Sequence, residues 1–152
     1  MPRDILARSL AKNLGRIAAT LVVALAGADV ARADDASPGA LPPGEWVASV
    51  ANPDTHRPIA VTLEVGNAPL GQPNGNLHFG APRACQLDTE YSGLDGAAYY
   101  LAFTRSTGGY CDRLLDGGIS LEAKGSGLDF VTLNKKGGAV EHGTFARQAA
   151  AH

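Results

Sequence analysis

The chain has 152 residues, of which 13 are basic and 15 acidic, with 45% hydrophobic and 6% aromatic residues. That is enough for one packed domain, and with no cluster of Lys and Arg it is the wrong charge pattern for nucleic acid or an anionic lipid surface. No motif in it specifies a reaction, and no cofactor-binding pattern is present.

The first 33 residues read as an export leader. Arg3, Arg8, Lys12 and Arg16 form a basic start, Ile17 to Ala28 form a short apolar core, and Ala31-Arg32-Ala33 has the small-x-small form that signal peptidase accepts. The apolar run of about a dozen residues falls short of the roughly 20 that span a bilayer, so a cleaved signal is expected over a membrane anchor. No Cys follows the run for lipidation, and no paired Arg points to the twin-arginine route. The expected mature protein starts at Asp34, is soluble, and works in the periplasm or outside the cell, where disulfides persist. It has 119 residues, with eight basic and 13 acidic side chains and a net charge of −5. A basic partner is the electrostatically easier one for such a surface.

Residues 34–44 (DDASPGALPPG) are rich in Pro, Gly and Ala and offer little to bury, which predicts a flexible arm. From Glu45 the texture changes to short alternating runs, and the domain is expected over 45–148 with a disordered tail at 149–152. Glu45 to Ala51 makes the first strand. Ile59, Val61, Leu63 and Val65 then share one face against Ala60, Thr62 and Glu64. A short strand follows around Leu77 to Phe79, and Cys85, Leu87 and Tyr91 alternate with Gln86, Asp88 and Glu90. Tyr99-Leu101-Phe103, Ile119-Leu121-Ala123 and Leu128-Phe130 repeat the pattern, and Val140 to Arg147 closes it. Between the runs stand Asn74-Gly75, Asp95-Gly96, Gly108-Gly109, Asp116-Gly117-Gly118, Gly125-Ser126-Gly127 and Gly137-Gly138, the residues that tight hairpins demand. The only helix signal after the leader is one short turn from Cys111 to Leu115.

Eight short antiparallel strands in meander order must hide their edges. Closure into a barrel does this most completely, with a two-sheet sandwich as the alternative. Cys85 and Cys111, an even count in an exported chain, are expected to form one disulfide; their 25 intervening residues do not suit a redox or metal pair. Gly44-Glu45-Trp46 at the first strand resembles the G-x-W of calycin barrels, such as lipocalins and small bacterial metalloprotease inhibitors. That resemblance implies a barrel in which Arg147, near the end of the last strand, covers Trp46 by a cation–π contact. The cysteines depart from the inhibitor pattern, lying in the central strands, and the arm is longer.

The candidate chemical groups are sparse. His56, His78, His142 and His152 have no second ligand at metal spacing, so no metal site is expected. Gly125-Ser126-Gly127 lacks the outer glycines of a nucleophile elbow and reads as a hairpin turn. Asp88 and Glu90 have the spacing of paired carboxylates but also that of the wet face of a strand. Tyr91, Tyr99, Tyr100 and Tyr110, with Phe103, concentrate the aromatic surface within the Cys85–Cys111 loop. The resulting expectation is an exported binding protein without catalytic or cofactor residues. It is taken as an inhibitor or protective protein against a protease or lysozyme, gripping its partner through the arm (Asp34, Asp35, Leu41) and the turn from Arg105 to Tyr110. A carrier of a small apolar ligand and an envelope assembly module are the competing readings.

Overall fold

The computed structural model describes residues 41–149; the leader, most of the arm (34–40) and residues 150–152 lie outside the described residues. Eight strands follow in chain order: β1 (Gly44–Ala51), β2 (Pro58–Val65), β3 (Pro73–Phe79), β4 (Cys85–Asp95), β5 (Ala98–Ser106), β6 (Gly118–Lys124), β7 (Gly127–Leu133) and β8 (Ala139–Arg147), with a single 3₁₀ turn at Gly109–Arg113 between β5 and β6. Each strand pairs antiparallel with the next, and β8 returns to β1 through Trp46↔Arg147 and Val47↔Ala146. The result is a closed barrel in meander order. At the coarse level it is consistent with a calycin-like barrel, and the sandwich alternative is set aside by the β1–β8 pairing.

The alternation along each strand decides what faces inward. In β2 the pattern of Ile59, Val61, Leu63 and Val65 is buried while Ala60 and Glu64 are exposed. Phe79, Phe130 and Phe145 with Leu63, Leu77, Leu87, Leu101 and Leu121 fill the interior, each fully buried and worth roughly 1.5–3 kcal/mol in burial. Phe130 and Phe145 lie against each other with centroids 4.4 Å apart. Tyr91 and Tyr99 continue the inward face but are only half-buried, packing against the core from one mouth of the barrel. Ala123 leaves the alternation: β6 ends in exposed residues as it runs out to the Gly125-Ser126 hairpin.

Closing eight strands needs bending, and bulges supply it. β4, the longest strand, shifts register against β5 between Asp88 and Thr89 and again between Tyr91 and Gly93. A third shift, between Pro73 and Gly75 against β4, overturns one turn assignment. Asn74-Gly75 is not a hairpin but part of β3. The Asn74 side chain is buried and its Oδ1 accepts the Ala68 N–H, so the reversal from β2 is made by the longer loop before it. Gly75 sits at φ +119°, and a Cβ there would collide with the Glu64 carbonyl of β2. The glycine is needed for the bulge and close strand approach rather than for a turn.

Candidate functional site

The barrel has two different ends. At one, Leu41 is 6% exposed and joins the core, so the packed structure begins before the texture change at Glu45. Trp46 donates its indole N–H to the Pro42 carbonyl at 3.3 Å, and Arg147 donates to the Pro43 carbonyl at 3.0 Å. The Arg147 guanidinium stands 5.8 Å from the centre of the Trp46 ring. Gly44 precedes them at φ +138° and lies against the Arg147 guanidinium, a backbone state that gives the glycine of G-x-W a physical reason.

The other end carries the β1–β2, β3–β4 and β7–β8 turns and the segment from Thr107 to Gly117. The Cys85–Cys111 disulfide, with Cα atoms 5.9 Å apart, ties the start of β4 to the 3₁₀ turn. Because Tyr110 precedes Cys111 and Arg83 lies two residues before Cys85, the bridge also brings these two side chains together. Arg83 stands in a turn held by Arg83 N–H and Ala84 N–H donating to the Gly80 carbonyl. Its guanidinium lies 3.8 Å from the centre of the Tyr110 ring and 5.4 Å from that of Phe79, while Phe79 and Tyr110 meet edge to face.

Glu141 of β8 completes the group. Its Oε1 accepts from Arg83 Nη2 at 2.7 Å and from the Tyr110 hydroxyl at 2.5 Å. The side chains of Arg83 and Glu141 are only 8% and 16% exposed, so this is a nearly buried ion pair. Arg83 Nη1 is sealed from solvent and has no acceptor. Arg113 reaches the same aromatic ring at 5.7 Å, is exposed, and has no carboxylate partner among the described residues. A cleft of about 430 Å³ opens here, lined by Arg83, Tyr110 and Arg113 together with Asn52, Asp54 and Pro82. A second cleft of about 360 Å³ shares Asn52 and Pro82 and runs on past Arg57. The β1–β2 turn contributes to the lining of both, and in it Asn52 Oδ1 accepts the Asp54 and Thr55 N–H groups.

Burial raises the Tyr110 phenol above its ordinary range, the hydrogen bond to Glu141 and that residue's charge push it further, and Arg83 and Arg113 offset part of the rise. A phenol that holds its proton more tightly when folded contributes fully to stability below its unfolded pKa of about 10, and that contribution is lost as the pH rises above it. Urea titrations at about pH 9 and pH 11 are therefore expected to show stability falling over this interval, and falling less in Tyr110→Phe. An equal fall in both proteins would show that Tyr110 does not titrate differently on folding.

The residues singled out from the sequence fall in different places. Arg105 is exposed on β5 and pairs with Asp88 at 2.6 Å, an exposed ion pair of little energetic consequence. Asp88 is engaged by Arg105, and Glu90 of the same strand lies opposite Ala102. Tyr110 is not a projecting anchor, since its ring and hydroxyl are engaged by Arg83, Phe79 and Glu141. Asp34 and Asp35 lie outside the described residues. Leu41 belongs to the Trp46 end and the Arg105–Tyr110 segment to the opposite one, so Leu41 and Tyr110 do not share one contiguous surface. The arm leads into the core at Leu41 because Leu, unlike its Pro and Gly neighbours, has apolar area to bury. Arg83, Arg113 and Glu141 were missed by sequence reasoning; for Arg83 the nearness to Cys85 was a readable signal, while Glu141 carried none.

Among the described residues no three His, Cys, Asp or Glu side chains converge as a metal site would require. No family model, curated protein or solved structure matches this chain.

Proposed function

We propose that this is an exported, non-catalytic binding protein, an inhibitor or protective protein acting on an envelope enzyme such as a protease or lysozyme, and that it engages its partner with the disulfide-bridged end of the barrel. The observation that carries the reading is the filled interior. Large side chains such as Phe79, Phe130 and Phe145 occupy the space in which a carrier would hold its ligand. Binding is then a matter of the outer surface, and the two adjoining clefts around Pro82 are concave features that the loops of one end shape together. The small disulfide-bridged barrel with G-x-W and its covering Arg supports the inhibitor-like class by resemblance.

The test is capture of partners from an envelope extract under oxidising conditions, followed by assay of the captured enzyme with and without the purified protein. The expected result is a one-to-one complex with lowered enzyme activity, and an intact mass showing that the envelope form starts at Asp34. Native mass spectrometry that instead finds a small apolar molecule retained by the isolated barrel would establish the carrier reading.

A further inference from the structure

Of the eight basic side chains beyond residue 33, six (Arg57, Arg83, Arg105, Arg113, Lys135 and Lys136) lie at or beside the disulfide-bridged end, against Asp54, Asp88, Asp112, Asp116 and Glu141. The rest of the barrel, among the described residues, carries Lys124 and Arg147 against six acidic ones. The net charge of −5 therefore conceals a locally positive end on an acidic body, and local charge, not the net value, steers a docking partner.

Within that end the cleft beside Tyr110 has two guanidinium groups and one carboxylate in its lining. Arg83 is held rigidly by its ring contacts and by Glu141, whose carboxylate balances its charge, and its Nη1 is sealed from solvent, so Arg83 and Tyr110 form a fixed wall and Arg113 is the cation that faces an incoming group. Arg113 is the accessible member, free of any ion pair among the described residues. Asp112, its neighbour, accepts from the Ser106 hydroxyl at 2.7 Å. Asp54, in the same lining, limits how much negative charge the cleft tolerates, favouring a single charge over a dianion.

We infer that this cleft is a carboxylate-binding site, taking an Asp or Glu side chain of the partner between Arg113 and the Arg83–Tyr110 stack, so that the recognised surface is acidic. The inference rests on the protein-binding reading above but is testable without the partner. A planar carboxylate matches the two-pronged donor geometry of an exposed guanidinium, and Arg113 supplies that geometry where Lys would present a point charge.

The experiment titrates the isotope-labelled protein with N-acetyl-glutamate amide, N-acetyl-glutamine amide and inorganic phosphate, following backbone shifts by NMR. The glutamate probe is expected to give saturable shifts at Gly109, Tyr110 and Arg113, and the glutamine probe none. Arg113→Gln, an exposed change, is expected to weaken the glutamate probe at least about fivefold, as loss of a charge-assisted contact implies, while Arg57→Gln in the neighbouring cleft leaves it unchanged. Equal shifts with the glutamine probe, tighter binding of phosphate, or indifference to Arg113→Gln would each overturn the assignment. If Arg113→Gln abolishes the probe's binding yet leaves capture of a partner intact, the site stands as a carboxylate site that the partner does not use, and the claim of an acidic recognised surface fails. If the probe binds and no partner is captured, the protein-binding reading fails and the carboxylate site does not.

Discussion

Replacing Cys85 and Cys111 together by Ser is expected to lower the unfolding free energy by about 3–4 kcal/mol, because the bridge closes a loop whose ends are 26 residues apart and so restricts the unfolded chain. At roughly 4–8 °C per kcal/mol for a domain of about 100 residues, the melting temperature should fall by more than about 12 °C. The loss has a local component too. Cys111 is fully buried, and without the bridge the 3₁₀ turn is tied to the barrel through the Tyr110–Glu141 hydrogen bond and its own short-range bonds, such as Leu114 N–H to the Cys111 carbonyl. Tyr110 and Arg83 would lose the link that draws them together, so hydrogen exchange should rise first between Thr107 and Gly117. A shift of less than about 4 °C, with unchanged exchange there, would mean that barrel packing alone positions this segment.

Glu141→Ala is expected to destabilise by about 3 kcal/mol, the lower end of what breaking a buried ion pair costs. The reason is that one carboxylate oxygen serves both Arg83 and the Tyr110 hydroxyl, and Arg83 has no other acceptor to turn to. Glu141→Gln keeps an acceptor oxygen and should cost about half as much. The double variant Arg83→Met with Glu141→Leu is expected to recover most of the loss, since removing both charges also removes the desolvation they impose. Thermal denaturation of the four proteins compares these costs. A cost below about 1 kcal/mol for Glu141→Ala would put the pair among exposed salt bridges, which contribute little.

The contrast between the two ends has a bearing on partners. Net charge computed from composition pointed to a basic target, yet the loops that crowd the bridged end gather most of the basic residues there. Arg57, Arg83, Arg113, Lys135 and Lys136 are spread over 80 positions of the sequence. They meet because an up-and-down meander sends every second connection to the same end.

What the sequence determined by itself was the strand set and its inward face. Period-two runs such as Ile59-Val61-Leu63-Val65 place apolar groups on one side of any extended chain, and in a chain with two cysteines only one internal bridge is possible. The hairpin at Gly125-Ser126 was equally local, since glycine's access to positive φ is a property of the residue and not of its surroundings. Closure into a barrel was also expected, from the need to hide strand edges and from G-x-W with Arg147, and the pairing of Trp46 with Arg147 bears it out over the sandwich. Two things only the tertiary structure decided. Asn74-Gly75 became a bulge rather than a turn because a buried side-chain acceptor and the β2 backbone stand beside it, and those neighbours are supplied by the fold. The Arg83–Tyr110–Glu141 group exists because β8 delivers a carboxylate to a place where burial makes a charge costly unless it is paired, a requirement that arises only once the barrel has excluded water.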